Sequence, residues 1–121
     1  MNRAALVIGC LLVVTATLLA ADISGKWTAS FETQIGTQNY TYEFKVDGEK
    51  LTGTAKSNMG QGPLLQGSVK GDEVTFVENL DFNGQQIQIT YKGKIVSADE
   101  IKFTRQVGDF ASEDLVAKRA K

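Results

Sequence analysis

After residue 22, apolar and polar residues alternate with a period of two through most of the chain. That period marks strands with one buried and one wet face. One row reads Trp27, Ala29, Phe31; Tyr40, Tyr42, Phe44, Val46; Leu51, Gly53, Ala55; and Leu65, Gly67, Val69. It continues with Val74, Phe76, Glu78, Leu80; Ile87, Ile89, Tyr91; Ile101, Phe103, Arg105; and Leu115, Ala117, Arg119. The opposite row is mostly Thr, Lys, Glu, Gln and Ser. These rows predict eight short strands, and no sustained helical period appears among them.

The connections are expected to alternate in length. Residues 34–39, 57–63, 81–86 and 106–112 read as long loops rich in Gly, Asn and Gln. Residues 47–50, 70–73 and 96–99 read as tight turns. The tight turns share one logic. A β-branched residue (Val46, Val69 or Val96) ends a strand, small or acidic residues turn, and Leu51, Val74 or Ile101 restarts the ladder. In an up-and-down meander, alternate connections lie at the same end. The chain therefore predicts an all-β fold, a small eight-stranded up-and-down antiparallel barrel with an open mouth and a closed base.

Residues 1–21 break this pattern. A short basic start at Arg3 precedes an uncharged, mostly apolar run that ends in Ala20 and Ala21. This is the layout of a helical secretory signal peptide, with residues 22–121 as the mature domain and a periplasmic or secreted location. A retained membrane anchor is the competing reading, because the run is nearly long enough to span. Cys10, after Val7-Ile8-Gly9, loosely resembles a lipoprotein cleavage box. A cut there leaves an apolar tail on the mature chain, so Cys10 reads as an ordinary residue of the signal.

Without Arg3, 12 basic residues face 14 acidic ones. No basic block is present, which argues against nucleic acid and anionic membrane surfaces as partners. The mature region has neither His nor Cys. That excludes disulfides, thiol catalysis and imidazole or thiolate metal sites. Acidic pairs such as Asp72-Glu73 and Asp99-Glu100 fall in turns, where carboxylates are usually solvated, and no calcium-loop pattern occurs. No cofactor is implied.

Trp27 opens the first strand within Gly25-Lys26-Trp27, and Arg119 ends the last. An even number of strands puts both at the tight-turn end, where the guanidinium stacks on the indole and closes the base. This pairing resembles the Gly-x-Trp opening of lipocalins and related calycins, in which a late-strand Arg covers the Trp. The chain is shorter than lipocalins and lacks their disulfide and C-terminal helix, which argues against a deep lipid cavity. The stretches Asp22-Ile23-Ser24-Gly25-Lys26-Trp27, Leu51-Thr52-Gly53-Thr54, Asp99-Glu100-Ile101-Lys102 and Val116-Ala117-Lys118-Arg119 are also similar to a set of small secreted bacterial proteins. That resemblance implies a calycin-like barrel and an exported location, and no activity.

Glu78 and Arg105 interrupt the inward apolar row. Each follows its tight turn by a similar distance, so both fall in the upper half of the lumen. Tyr40 and Tyr42 enter from the mouth at a similar level. One reading is a polar anchor for a small ligand above an apolar floor. The other is a buried pair that satisfies only itself, since buried charges must be paired in either case. Phe82 and Phe110 lie in the expected mouth loops, either capping the core or rimming the mouth for a sugar or protein partner. Met59 is a third candidate rim contact.

Eight of the ten aromatic residues belong to the inward row, which favours a filled lower half. Only one inward carboxylate is supplied where glycoside chemistry needs two. The chain therefore reads as a non-enzymatic binding module for a small, partly apolar ligand. The alternative is an accessory protein whose mouth contacts another exported protein or a glycan.

Overall fold

A computed structural model describes residues 23–120. The expected signal segment, including Cys10, lies outside the described residues. Nine strand segments follow in order: β1 (Gly25–Thr33), β2 (Gly36–Asp47), β3 (Lys50–Ser57), β4 (Gly60–Pro63), β5 (Leu65–Lys70), β6 (Glu73–Phe82), β7 (Gln85–Ser97), β8 (Glu100–Val107) and β9 (Ala111–Arg119). Antiparallel pairing runs β2-β1-β9-β8-β7-β6-β5-β3, and a β2–β3 ladder closes the ring. Segments β4 and β5 both pair with β3, at residues 54–57 and 50–51 respectively. They form one stave broken at Leu64, so the nine segments build a closed eight-stranded up-and-down barrel. Closure removes the exposed edges that an open sheet would present, except in parts of the upper wall such as the β1–β9 seam, where pairing stops at Thr28 and Lys118.

The break shifts the alternation. Gln66 takes a positive φ of 52°, and the β5–β6 register slips between Leu65 and Ser68. Leu64 is buried in the core. Leu65 sits opposite Val77, out of phase with inward-facing Phe76 and Glu78, so it lies on the outer face. The periodic pattern expects Leu65 inside; a bulge changes which residues face in.

The long mouth loops are also corrected. The connections at that end are Gln34-Ile35, Asn58-Met59, Asn83-Gly84 and Gly108-Asp109-Phe110. Asn83 and Gly84 have φ of 56° and 80°, the left-handed pair that a two-residue hairpin turn requires. Polar residues on either side, which read as loop from composition, instead continue the ladders. The mouth is therefore a rim of paired strands and tight turns, at the opposite end from the turns at Gly48-Glu49, Gly71-Asp72 and Ala98-Asp99.

The lower lumen is solid. Trp27, Phe44, Tyr42, Phe76, Tyr91 and Phe103 pack in a continuous aromatic cluster, with Phe76 stacked on Tyr91 at 4.3 Å between centroids. Gly93 makes room for it. It pairs with Phe103 across the β7–β8 ladder, and a Cβ there would lie 2.4 Å from the Phe103 ring. At the base, the Arg119 guanidinium carbon stands 4.7 Å from the Trp27 ring centroid. The indole Nε1 donates to the Ile23 carbonyl at 2.8 Å, and Ile23 itself is buried. Arg119 donates further to the carbonyls of Ser24 and Ala98 and pairs with Asp99. One side chain thus ties the first strand, the last strand and a basal turn together.

Candidate functional site

Above the aromatic floor, four strands deliver a buried polar network. Tyr40 comes from β2, Glu78 from β6, Tyr91 from β7 and Arg105 from β8, and their strand registers bring them to one level. The Tyr40 hydroxyl donates to Glu78 Oε2 and the Tyr91 hydroxyl to Glu78 Oε1, both at 2.8 Å. Arg105 Nη2 donates to the Tyr40 oxygen at 2.8 Å and Nε to the Tyr91 oxygen at 2.9 Å. Tyr91 has spent its one proton on Glu78, so the 3.0 Å contact between the Tyr42 and Tyr91 hydroxyls has Tyr42 as donor. Arg105 also lies over the Tyr40 and Phe31 rings, with 5.1 and 5.2 Å to the centroids.

The pattern anticipates Glu78 and Arg105 as a direct pair. They do meet, but across 3.9 Å, and the two phenols bridge them. The close partner of Arg105 is Glu113 on β9, whose Oε1 accepts from Nη1 at 2.5 Å. Glu113, which is partly buried, and a fully buried polar residue, Gln38, are absent from the expected site. Both extend an inward row by one step, Gln38 before Tyr40 and Glu113 before Leu115, into residues at or beside the segments that read as loops. Gln38 Oε1 is buried with no hydrogen-bond partner.

Burial sets the protonation of the network. Desolvation, reinforced by the Glu78 carboxylate, pushes Tyr40 up from 10.0 to about 12. Desolvation lifts Tyr42 and Tyr91 well above 10.0. Burial works against the charge on Arg105, but the Tyr91 and Tyr40 phenols, the Glu113 hydrogen bond and Glu78 outweigh it and hold the guanidinium protonated. The phenols are therefore neutral donors around a fixed cation.

These three are the chain's only tyrosines, which makes the network directly measurable. Folded protein at about pH 11 is expected to show little tyrosinate absorbance, whereas denatured protein is largely ionised there. Because the folded-state values are raised, the phenols contribute stability that is complete below pH 10.0 and fades as pH climbs through about 12. One phenol ionising near pH 10 in the native state would place that ring in water.

A cavity of about 300 Å³ opens directly above the network. Ile35, Met59, Leu80, Ile87, Val107 and Phe110 supply its apolar wall, and Gln38, Tyr40, Arg105 and Glu113 its polar lower part. Of the expected ligand-binding residues, Tyr40, Arg105 and Phe110 line it. Glu78 and Tyr42 do not; they sit beneath it and support the residues that do. Phe82 ends β6 opposite Gln85, and its side chain is outside the described residues. A larger cleft, about 1010 Å³, runs along the wall between β1 and β9, lined by outward residues such as Ser30, Lys102 and Lys118 as well as by core side chains. The β1–β9 ladder there contains only Trp27↔Arg119 and Thr28↔Lys118. The buried polar chemistry lies at the mouth, which makes the mouth the candidate site. Among the described residues, no group of three or more acidic, His or Cys side chains gathers to hold a metal ion.

Fold and site together define a closed antiparallel barrel with a solid base and a small cavity at its mouth. Two solved structures share the fold. A redesigned β-barrel, b11L5F_LGL, superposes with a TM-score of 0.59 at 14% identity, covering 84% of this chain and 94% of its own. A second redesigned β-barrel, mFAP1 bound to DFHBI, gives 0.55 at 16% identity, with 87% and 98% covered. No protein-family model matches the chain, and no curated protein matches it significantly.

Proposed function

We propose that this chain is an exported, non-catalytic binding barrel that holds a small, partly apolar ligand in its mouth cavity. The observation that carries the reading is the cavity itself: an apolar wall above a polar floor on which Gln38 Oε1 is buried and unpartnered. Buried polar atoms are nearly always paired in folded proteins, so an orphan on a residue that lines a cavity marks that wall as built for more than packing. The volume of about 300 Å³ lies at the small end of ligand sites. That mFAP1, a barrel of similar shape, binds DFHBI supports the capacity of such a fold for one small molecule. The export reading rests on the signal-like composition of residues 1–21, and the calycin-like reading on Trp27 and Arg119.

Native mass spectrometry of the protein recovered from a periplasm, set against its denatured mass, tests the proposal. The expected result is a discrete extra mass that is lost on denaturation and absent from Val107→Trp, which fills the cavity. A bare mass in both proteins, with no small molecule that protects the barrel against unfolding, would remove the reading. Phe110 and Ile35, 70% and 53% exposed at the rim, favour a second reading in which the mouth docks on another exported protein. In that case an Ile35→Ser, Phe110→Ser variant loses the partner while cavity filling has no effect.

A further inference from the structure

The ladders divide the upper wall into two equal parts. On one side, β1–β9 pairing stops at Thr28 and Lys118. On the other, β5 meets β6 as far up as Leu65↔Val77, and above that level β4 is laddered only to β3. With β4 and β5 counted as one stave, the two seams fall four staves apart, opposite each other around the ring. Above the base the barrel is therefore two four-stranded sheets, β1-β2-β3-β4 and β6-β7-β8-β9, and among the described residues no ladder joins them there. Below, the Trp27↔Arg119 pair, the β5–β6 ladder and the aromatic cluster tie them together.

Side chains alone cross the upper lumen. Tyr40 and Tyr42 on the first sheet bond to Glu78, Arg105 and Tyr91 on the second, and Arg105 lies over the Phe31 and Tyr40 rings. The charges all sit on one side. Glu78, Arg105 and Glu113 belong to the second sheet, where they pair with one another and with Tyr91. Separating the sheets therefore strands no charge, which is the expensive event in a buried network. It gives up the bonds of two neutral phenols, which entering water can replace. The mouth cavity straddles the division, with Gln38, Tyr40 and Met59 from the first sheet facing Leu80, Ile87 and Arg105 from the second. The backbone is also irregular where the first sheet leaves the base. β4 gives way to β5 at Leu64, the bulge at Gln66 follows, and Gly53 on β3 has a φ of 142°. Hinges are built from a few such positions that absorb backbone rotation.

We infer that the mouth opens as two hinged jaws, with the Tyr40 hydroxyl as the clasp that sets their closed separation. Parting the jaws widens the cavity between them. The inference stands on the ladders and needs no bound ligand, so its failure would leave the mouth-cavity reading standing.

The test is a distance measured across the lumen. Nitroxide labels at Thr37→Cys on β2 and Gln88→Cys on β7, in a Cys10→Ser background, occupy exposed positions on opposite jaws. Pulsed electron spin resonance reads their separation, and Gln88→Cys with Ser112→Cys, both on the second sheet, is the same-jaw reference. Tyr40→Phe removes the hydroxyl and its two bonds but keeps the ring. It is expected to shift the cross-jaw distance to longer values and leave the same-jaw distance unchanged. Hydrogen exchange within the β1–β2 and β7–β8 ladders is expected to stay at wild-type rates, because each jaw moves as a unit. Tyr42→Phe, which loses one clasp bond rather than two, should give a smaller shift in the same direction. An unchanged cross-jaw distance in both variants overturns the inference. So does a longer distance accompanied by faster exchange in those ladders or by a change in the same-jaw pair, since either is local unfolding rather than a hinge.

Discussion

Arg105→Met is expected to destabilise the barrel by about 3–5 kcal/mol, the range for breaking a buried charge pair from one side. Arg105 is 3% exposed. Met fills much of its volume, so the loss is electrostatic rather than a cavity effect. Glu78 and Glu113 would then share the upper lumen with no cation between them, and the Tyr40 and Tyr91 oxygens would each lose a donor. Denaturant midpoints followed by far-ultraviolet circular dichroism measure the loss. Adding Glu78→Gln or Glu113→Gln removes one of the stranded charges and should recover part of the stability. If neither double variant is more stable than Arg105→Met alone, the carboxylates are not energetically coupled to the guanidinium. A loss within about 0.5 kcal/mol, as for an ordinary surface substitution, would place Arg105 in water.

That network also shows how far a sequence of this kind can be read. Period-two alternation carries the barrel because every strand has one wet face, and it flags Glu78 and Arg105 because a charge in an apolar row is conspicuous. It places Tyr40 correctly at the level of both, since the strands are regular and the registers follow from tight turns. Gln38 and Glu113 escape notice for a different reason. Gln38 sits where composition suggests loop and Glu113 directly after such a stretch, and a polar residue in or beside a presumed loop carries no signal. Once the turns are seen to span two or three residues, both fall in the inward rows by simple counting. Leu65 fails for a third reason: the single added residue around Gln66 reverses the phase, and nothing local distinguishes it from an ordinary strand residue. Tyr42 belongs to the inward row as expected, but depth along a strand is a matter of register, and one step of two residues takes it from cavity floor to core.

Trp27→Ala is expected to cost about 3–5 kcal/mol, the usual range for truncating a fully buried aromatic ring. Trp27 has no exposed surface and packs at 6.1 Å from the Phe44 ring. Its loss removes the hydrogen bond to Ile23 and the platform beneath Arg119. The consequence should extend beyond a cavity at the base. The β1–β9 seam is held by two ladder pairs, one of them Trp27↔Arg119, and by the Ala120 N–H donating to the Lys26 carbonyl at 2.8 Å just below them. Above Thr28 and Lys118, each strand is laddered only to its other neighbour. Hydrogen exchange in Trp27→Ala should therefore accelerate first along β1 and β9, before β6 and β7, which share the longest ladder. Trp27→Phe, which keeps a ring for Arg119 but loses the indole donor, should fall between wild type and Ala. A change below about 1 kcal/mol in Trp27→Ala, or uniform exchange around the ring, would show that the base does not lock the seam.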